Sequence, residues 1–174
     1  MISLSNKFSK ATVLSQVQGL LTIFVVPRFE KYNAVKFRNG KITTNRIINN
    51  FSTEKMLIIR SSAADEDGHT SSLAGEYASV LNIPSNNPQK ITEGIKTVIN
   101  SYEKKRPLLP DDEVIIQEMV HDSTMSGVIF THDLNTGAPY YVINYDDQSG
   151  LTDTVTSGGG ESVSYTHLTL PTTP

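Results

Sequence analysis

The 174-residue chain has no cysteine, which excludes disulfides, thiolate metal sites and cysteine nucleophiles together. It has no excess of basic charge. Its 15 Lys+Arg stand against 18 Asp+Glu, a formal net charge of -3, so there is no electrostatic reason to expect nucleic-acid binding. It also lacks a long apolar run. The longest, Leu20 to Val26, is interrupted by Thr22 and stopped by Pro27. That falls well short of the about 20 residues a spanning helix needs, and it predicts a buried strand and no membrane contact. The first residues include Asn6, Lys7 and Lys10 but no apolar core of a secretory leader, and the expectation is a soluble, cytoplasmic protein. What the chain does have is 37% hydrophobic residues with 19% charged, enough for a packed core and too apolar for global disorder.

Periodicity divides the body into helix-like and strand-like segments. Val13, Leu14, Val17, Leu20 and Leu21 are spaced for a helix over Lys10–Leu21, and Thr22–Val26 reads as a strand. Ile42, Ile47 and Ile48 fit a short polar helix. Met56–Ile59 reads as a buried strand that delivers Arg60 at its C-terminal end, and Ala78–Ile83 as another strand stopped by Pro84. Pro88 opens a helix with Ile91, Ile95, Val98, Ile99 and Tyr102 on one face, and Lys104, Lys105 and Arg106 stand where the helix dipole favours cations. Strands are expected at Glu113–Met119, Ser126–Thr131 and Tyr140–Tyr145, with Asn135-Thr136-Gly137 as a hairpin turn. The runs Val114-Ile115-Ile116 and Val128-Ile129-Phe130 do not alternate, so both are expected to be covered on two faces. The fold class is α+β, a mostly antiparallel sheet with packed helices.

The end of the chain reads differently. SGGGESVSYTHLTLPTTP, from Ser157, follows neither the strand nor the helix period. The domain is therefore expected to cover residues 1–161 as an N-terminal, incomplete piece, with 162–174 as a non-native or disordered tail.

The densest chemistry lies in RSSAADEDGHTSSLAG, residues 60–75. A charged Arg60 leaves a buried strand and leads into small hydroxyl residues and glycine. Arginine offers a planar, permanently charged fork to phosphate oxygens, and small residues let backbone N–H groups approach closely. A solvated Ser/Gly surface loop with an ordinary surface arginine fits the same residues, and no GxxxxGK[ST] or GxGxxG is present to decide.

RSSAADEDGHTSSLAGEYASVLNI resembles the signature of the N-terminal nucleotide-binding domain of phosphoenolpyruvate synthases, pyruvate phosphate dikinases and rifampin phosphotransferases. That signature runs R-S-S-A-x-x-E-D, four variable residues, S-[FY]-A-G, then a strand ending L-N-[VI]. VIIQEMVHDSTMSGVIFTHDLNTG is similar to the family's second block, and Gly150-Leu151-Thr152-Asp153 to its G-L-G-E. The resemblance covers roughly residues 5 to 160. It implies an ATP-grasp domain with ATP and Mg²⁺ as ligands. The segment NTGAPYYVINYDDQSGLTDTVTSG looks closer to relatives found with surface-polysaccharide biosynthesis, among them a glutamine kinase.

On this resemblance Arg60 contacts the transferred phosphates, and Ser71, Ser72, Ala74 and Gly75 belong to the loop closing over them. Gln117, Glu118, Met119 and Val120 match the hinge strand at the adenine, where Met119 packs on the base or is a plain core methionine. Thr131 faces the nucleotide. Lys10 keeps the place of a phosphate-binding lysine, but Phe8-Ser9-Lys10-Ala11-Thr12-Val13-Leu14 has none of the family's glycines, and a solvated helix-start residue fits equally. Asp153 stands where a metal-binding glutamate is expected and is one methylene shorter; Asp146 and Asp147 are neighbouring candidates.

His69, His121, His132 and His167 are scattered, with no HExxH spacing for zinc. None sits in the family's T-S-H-x-A context for a phosphate-carrying histidine. The resemblance thus implies the Mg-ATP-binding part of a dikinase-type phosphotransferase, whose phosphohistidine and acceptor domains lie outside this chain. The other reading is a non-catalytic nucleotide-sensing or interaction module that retains the fold.

Overall fold

The computed structural model describes residues 9–51, 55–65, 67–68, 71–72, 77–133, 135–148 and 163–168, of which 67–68, 71–72 and 163–168 are described as backbone only. The chain divides into two units, residues 1–119 and 120–174.

The first unit opens with helix α1, Lys10–Gln18, capped by Ser9, whose Oγ accepts the Thr12 N–H. Strand β1, Phe29–Asn33, follows, then the short helices α2, Ala34–Arg38, and α3, Thr44–Ile48. Strand β2 is Met56–Ser62; β3, Asp67–Gly68, and β4, Ser71–Ser72, pair with each other; β5 is Ser79–Pro84. Helix α4, Pro88–Glu103, leads to strand β6, Glu113–Glu118. The main sheet has the order β1-β6-β2-β5, with every pair antiparallel.

Helix α4 forms where the periodicity placed it. Asn87 caps it by accepting the Lys90 N–H, Pro88 occupies the first turn, and Ile91, Ile95, Val98, Ile99 and Tyr102 are buried. These residues pack with Leu57, Ile59, Ile83, Val114 and Ile116 to form the core. The approach is close at Gly94, where an added Cβ would lie 2.6 Å from Ile83 Cδ1 and 2.8 Å from Ile59 Cδ1. β5 carries one more residue than β2 between the pairs Leu57–Ile83 and Ile59–Val80, and Asn82 in this bulge has φ +58°. The left-handed conformation suits asparagine better than most side chains. The Asn82 N–H points to Met119 Sδ at 3.2 Å.

The second unit holds β7, Ser126–Phe130, β8, Tyr140–Asp146, and β9, Val163–Leu168, in an antiparallel sheet of that order. Gly137 has φ +69° in the β7–β8 connection, as its turn signal predicts. Gly127 is required by pairing: a Cβ there would sit 2.7 Å from the Asn144 carbonyl oxygen.

Four expectations are corrected. Thr22–Val26 is not a strand: Ile23, Phe24 and Val25 are 85%, 73% and 88% exposed. The free edge of β6 is taken instead by Phe29–Asn33, a segment with a single fully buried residue and hence little hydrophobic signal. β7 is not covered on both faces, since Ile129 is 63% exposed; β6 is, with Val114, Ile115 and Ile116 all buried. The tail was expected to form no element, yet Val163–Leu168 pairs with β8 over six residues. Arg60 is not at the end of its strand, because Ser61 and Ser62 continue the ladder opposite Val114 and Glu113.

Candidate functional site

In an antiparallel ladder, directly opposed residues share a face. One face of the main sheet carries Leu57, Ile59, Val114 and Ile116 against α4. The other is far more polar. One row across it reads Lys31, Ile115, Arg60, Ser79; a second reads Phe29, Gln117, Ile58; a third reads Asn33, Glu113, Ser62. The register therefore brings Arg60 and Gln117 onto one face of neighbouring strands, one diagonal step apart. Arg60 is half-buried and Gln117 buried, with Gln117 Nε2 donating to the Pro27 carbonyl at 3.3 Å. Lys31 Nζ pairs with Glu113 at 3.4 Å on the same face.

Lys10 is brought to this face indirectly. Ser62 Oγ, fully buried in the third row, accepts the Ala11 N–H at 3.1 Å and ties the first turn of α1 to β2. The Ser62 N–H in turn donates to Tyr102 Oη, whose own hydroxyl donates to the Glu113 carbonyl. The buried Ser62 hydroxyl oxygen and backbone N–H are thus answered by α1 and α4.

The remaining expected site residues fare differently. Glu118 lies on the opposite face, paired with Leu57. The N–H groups of Glu118 and Met119 already donate within the sheet, to the carbonyls of Arg28 and Met56, and Met119 Sδ faces the Asn82 N–H. Val120 is exposed and begins the second unit. Thr131 is exposed there, with Oγ1 3.1 Å from His132 Nδ1. Ser71 and Ser72 form β4; Ala74, Gly75, Asp153 and His69 lie outside the described residues. Asp146 is buried and accepts the Gln148 N–H. Among the described residues there is no group of three or more His, Asp or Glu able to hold a metal ion, so no magnesium ligand is assigned.

A cluster that the sequence did not signal joins Asp65, just after β2, to Tyr77, just before β5. Arg106 follows α4 and uses all five of its N–H donors. Nε and Nη2 go to the two oxygens of Asp65 at 2.7 and 2.6 Å; Nη1 and Nη2 go to Asp112 at 2.7 and 2.9 Å; and Nη1 also donates to the Pro107 carbonyl. Asp112, fully buried, accepts the N–H groups of Ala64 and Leu109 as well. Tyr77 Oη donates to both oxygens of Asp65 at 3.1 Å, and its ring meets Tyr102 edge to face at 5.0 Å. The Arg106 guanidinium lowers the Asp65 pKa. Burial alone would raise that of Asp112, but the hydrogen bonds from Arg106, Ala64 and Leu109 outweigh it and the net shift is downward. Burial, then Asp65, raises that of Tyr77. Arg106 was expected to answer the helix dipole; it serves this network instead.

The two units combine antiparallel sheets with helices, and the first sets a polar sheet face against a packed one. That arrangement defines a mixed α and β domain whose main sheet has a polar face opposite the one packed on α4. Residues 41–164 match the model of the pyruvate phosphate dikinase, AMP/ATP-binding domain. The chain belongs to that family, a dikinase-type family of nucleotide-binding domains. It is also similar to the prodigiosin synthesizing transferase PigC of Serratia marcescens, at 32% identity over 110 residues, or 59% of this chain. The match spans 12% of that relative's length.

Proposed function

We propose that the chain is the Mg-ATP-binding part of a dikinase-type phosphotransferase, with an ATP-grasp arrangement in which the nucleotide lies against the polar face of the main sheet. The observation that carries this reading is the gathering of Arg60, Gln117 and, through Ser62, the Lys10 turn on the sheet face opposite the one that packs on α4. Arg60 is half-buried and shares its row with the fully buried Ile115, which sets the cation beside an apolar residue. That is the setting in which a fixed cation stabilises phosphate charge most effectively. Ser71 and Ser72, with Ala74 and Gly75, supply the small-residue segment over the phosphates. Magnesium enters as part of the substrate Mg-ATP. The phosphoryl group passes to a carrier histidine outside this chain and then to a small acceptor such as pyruvate or glutamine.

The test is a pair of titrations. Arg60→Ala should weaken Mg-ATP by roughly 10- to 100-fold, as expected for loss of a charge-assisted contact, and leave adenosine nearly unchanged. Equal weakening of both ligands would make Arg60 a structural residue and remove the phosphate assignment. The chain alone, incubated with γ- or β-labelled ATP, should form no acid-labile phosphohistidine.

A further inference from the structure

We propose that Asp65, Tyr77, Arg106 and Asp112 form a positioning clasp that fixes the β3–β4 pair, and with it Ser71 and Ser72, for phosphate binding. The proposal rests on the nucleotide reading above and deepens it. Asp65 and Tyr77 bracket the segment that contains β3 and β4, and they are joined to each other directly by the Tyr77 hydroxyl. Arg106 then fastens Asp65 to Asp112, which also holds the chain at Ala64, immediately before Asp65. Asp65 and Tyr77 are therefore held to each other, and Arg106 and Asp112 anchor Asp65 to the end of α4 and the start of β6.

Closing a loop needs much less than this. Neutral hydrogen bonds or an apolar contact would bring the ends together, whereas burying a carboxylate with an arginine is costly unless every donor and acceptor is answered. Here every donor of Arg106 is answered, and the two carboxylates are gripped in two bidentate forks. Such forks fix angle as well as distance. Angular definition is what a segment needs when its backbone must meet phosphate oxygens beside Arg60, because small misplacements of binding groups cost large factors. Tyr77 packs on Tyr102 of α4 within the core, and the clasp is proposed to act through the segment it holds.

The test uses two mild variants in the full chain. Tyr77→Phe keeps the ring contact with Tyr102 and removes only the hydroxyl; Asp65→Asn keeps the shape and removes the charge. Hydrogen exchange is followed at the amides of residues 67–72 and at those of α4, and Mg-ATP and adenosine are titrated separately. Exchange at 67–72 should quicken while α4 keeps wild-type protection. Mg-ATP affinity should fall roughly five- to tenfold, about the net worth of one ordinary hydrogen bond, with adenosine unchanged. Arg106→Lys, which keeps the charge but loses both forks, should not restore the wild-type ratio. If wild-type chain prefers Mg-ATP and Arg60→Ala abolishes that preference, yet both clasp variants keep it, the clasp is purely structural and the proposal is overturned. If wild-type chain binds Mg-ATP no better than adenosine, the nucleotide reading itself falls, and the phosphate role of the clasp falls with it. That outcome is visible before any clasp variant is made.

Discussion

The Ala11 N–H donates to Ser62 Oγ at 3.1 Å, and both residues are fully buried. Helix α1 is thereby joined at its first turn to the strand that carries Arg60. The second serine of the Arg60-Ser61-Ser62 motif thus has a structural task that its small polar side chain fits. Ser62→Ala would strand a buried N–H, at a cost of about 1–3 kcal/mol. It should also uncouple Lys10. In the wild-type chain Lys10→Ala should weaken Mg-ATP, and in the Ser62→Ala background it should have much less effect. Additive losses in this double-mutant cycle would mean that Ser62 does not position Lys10, and no loss for Lys10→Ala alone would place Lys10 outside the site.

Acid pH should act through the clasp. The folded pKa values of Asp65 and Asp112 lie below those of unfolded aspartate, which is about 3.9. Their stabilisation is therefore complete above that value and is lost as pH falls through the lower folded values. The urea midpoint should hold steady from pH 7 to about 5.5 and drop below about pH 4. Asp112→Asn should lower the midpoint at pH 7, equivalent to a stability loss of about 3 kcal/mol for breaking a pair whose carboxylate is buried, and flatten the acid limb. An unchanged acid limb in that variant would assign the loss to other carboxylates.

Residues 162–174 are proposed to be dispensable. Among the described residues the core cluster runs from Tyr32 to Ile116, within the first unit. A chain ending at Glu161 should therefore melt in its main transition at the wild-type temperature, although β9 no longer covers the edge of β8. A fall of several degrees, equivalent to about 1 kcal/mol or more, would show that β9 supports the main transition.

The sequence by itself determined the parts whose signal is local. Helix α4 is legible in Asn87-Pro88 and the spacing of Ile91, Ile95, Val98 and Ile99, because a cap and an apolar stripe are properties of one short segment. β6 is legible for the same reason, as three consecutive apolar residues buried on both faces. The motif around Arg60 identified the family that residues 41–164 match. Tertiary structure alone decided which segment took the free edge of β6. Thr22–Val26 has the stronger strand composition, yet Phe29–Asn33 holds the ladder, since pairing depends on reach and register as well as propensity. It alone decided that Asn82 would turn left-handed beneath Met119, and that Arg106 would meet Asp65 across 41 residues of chain. A guanidinium fork between two carboxylates has no periodicity and no fixed spacing. It exists only once the end of α4, the start of β6 and the exit from β2 have been folded to the same point.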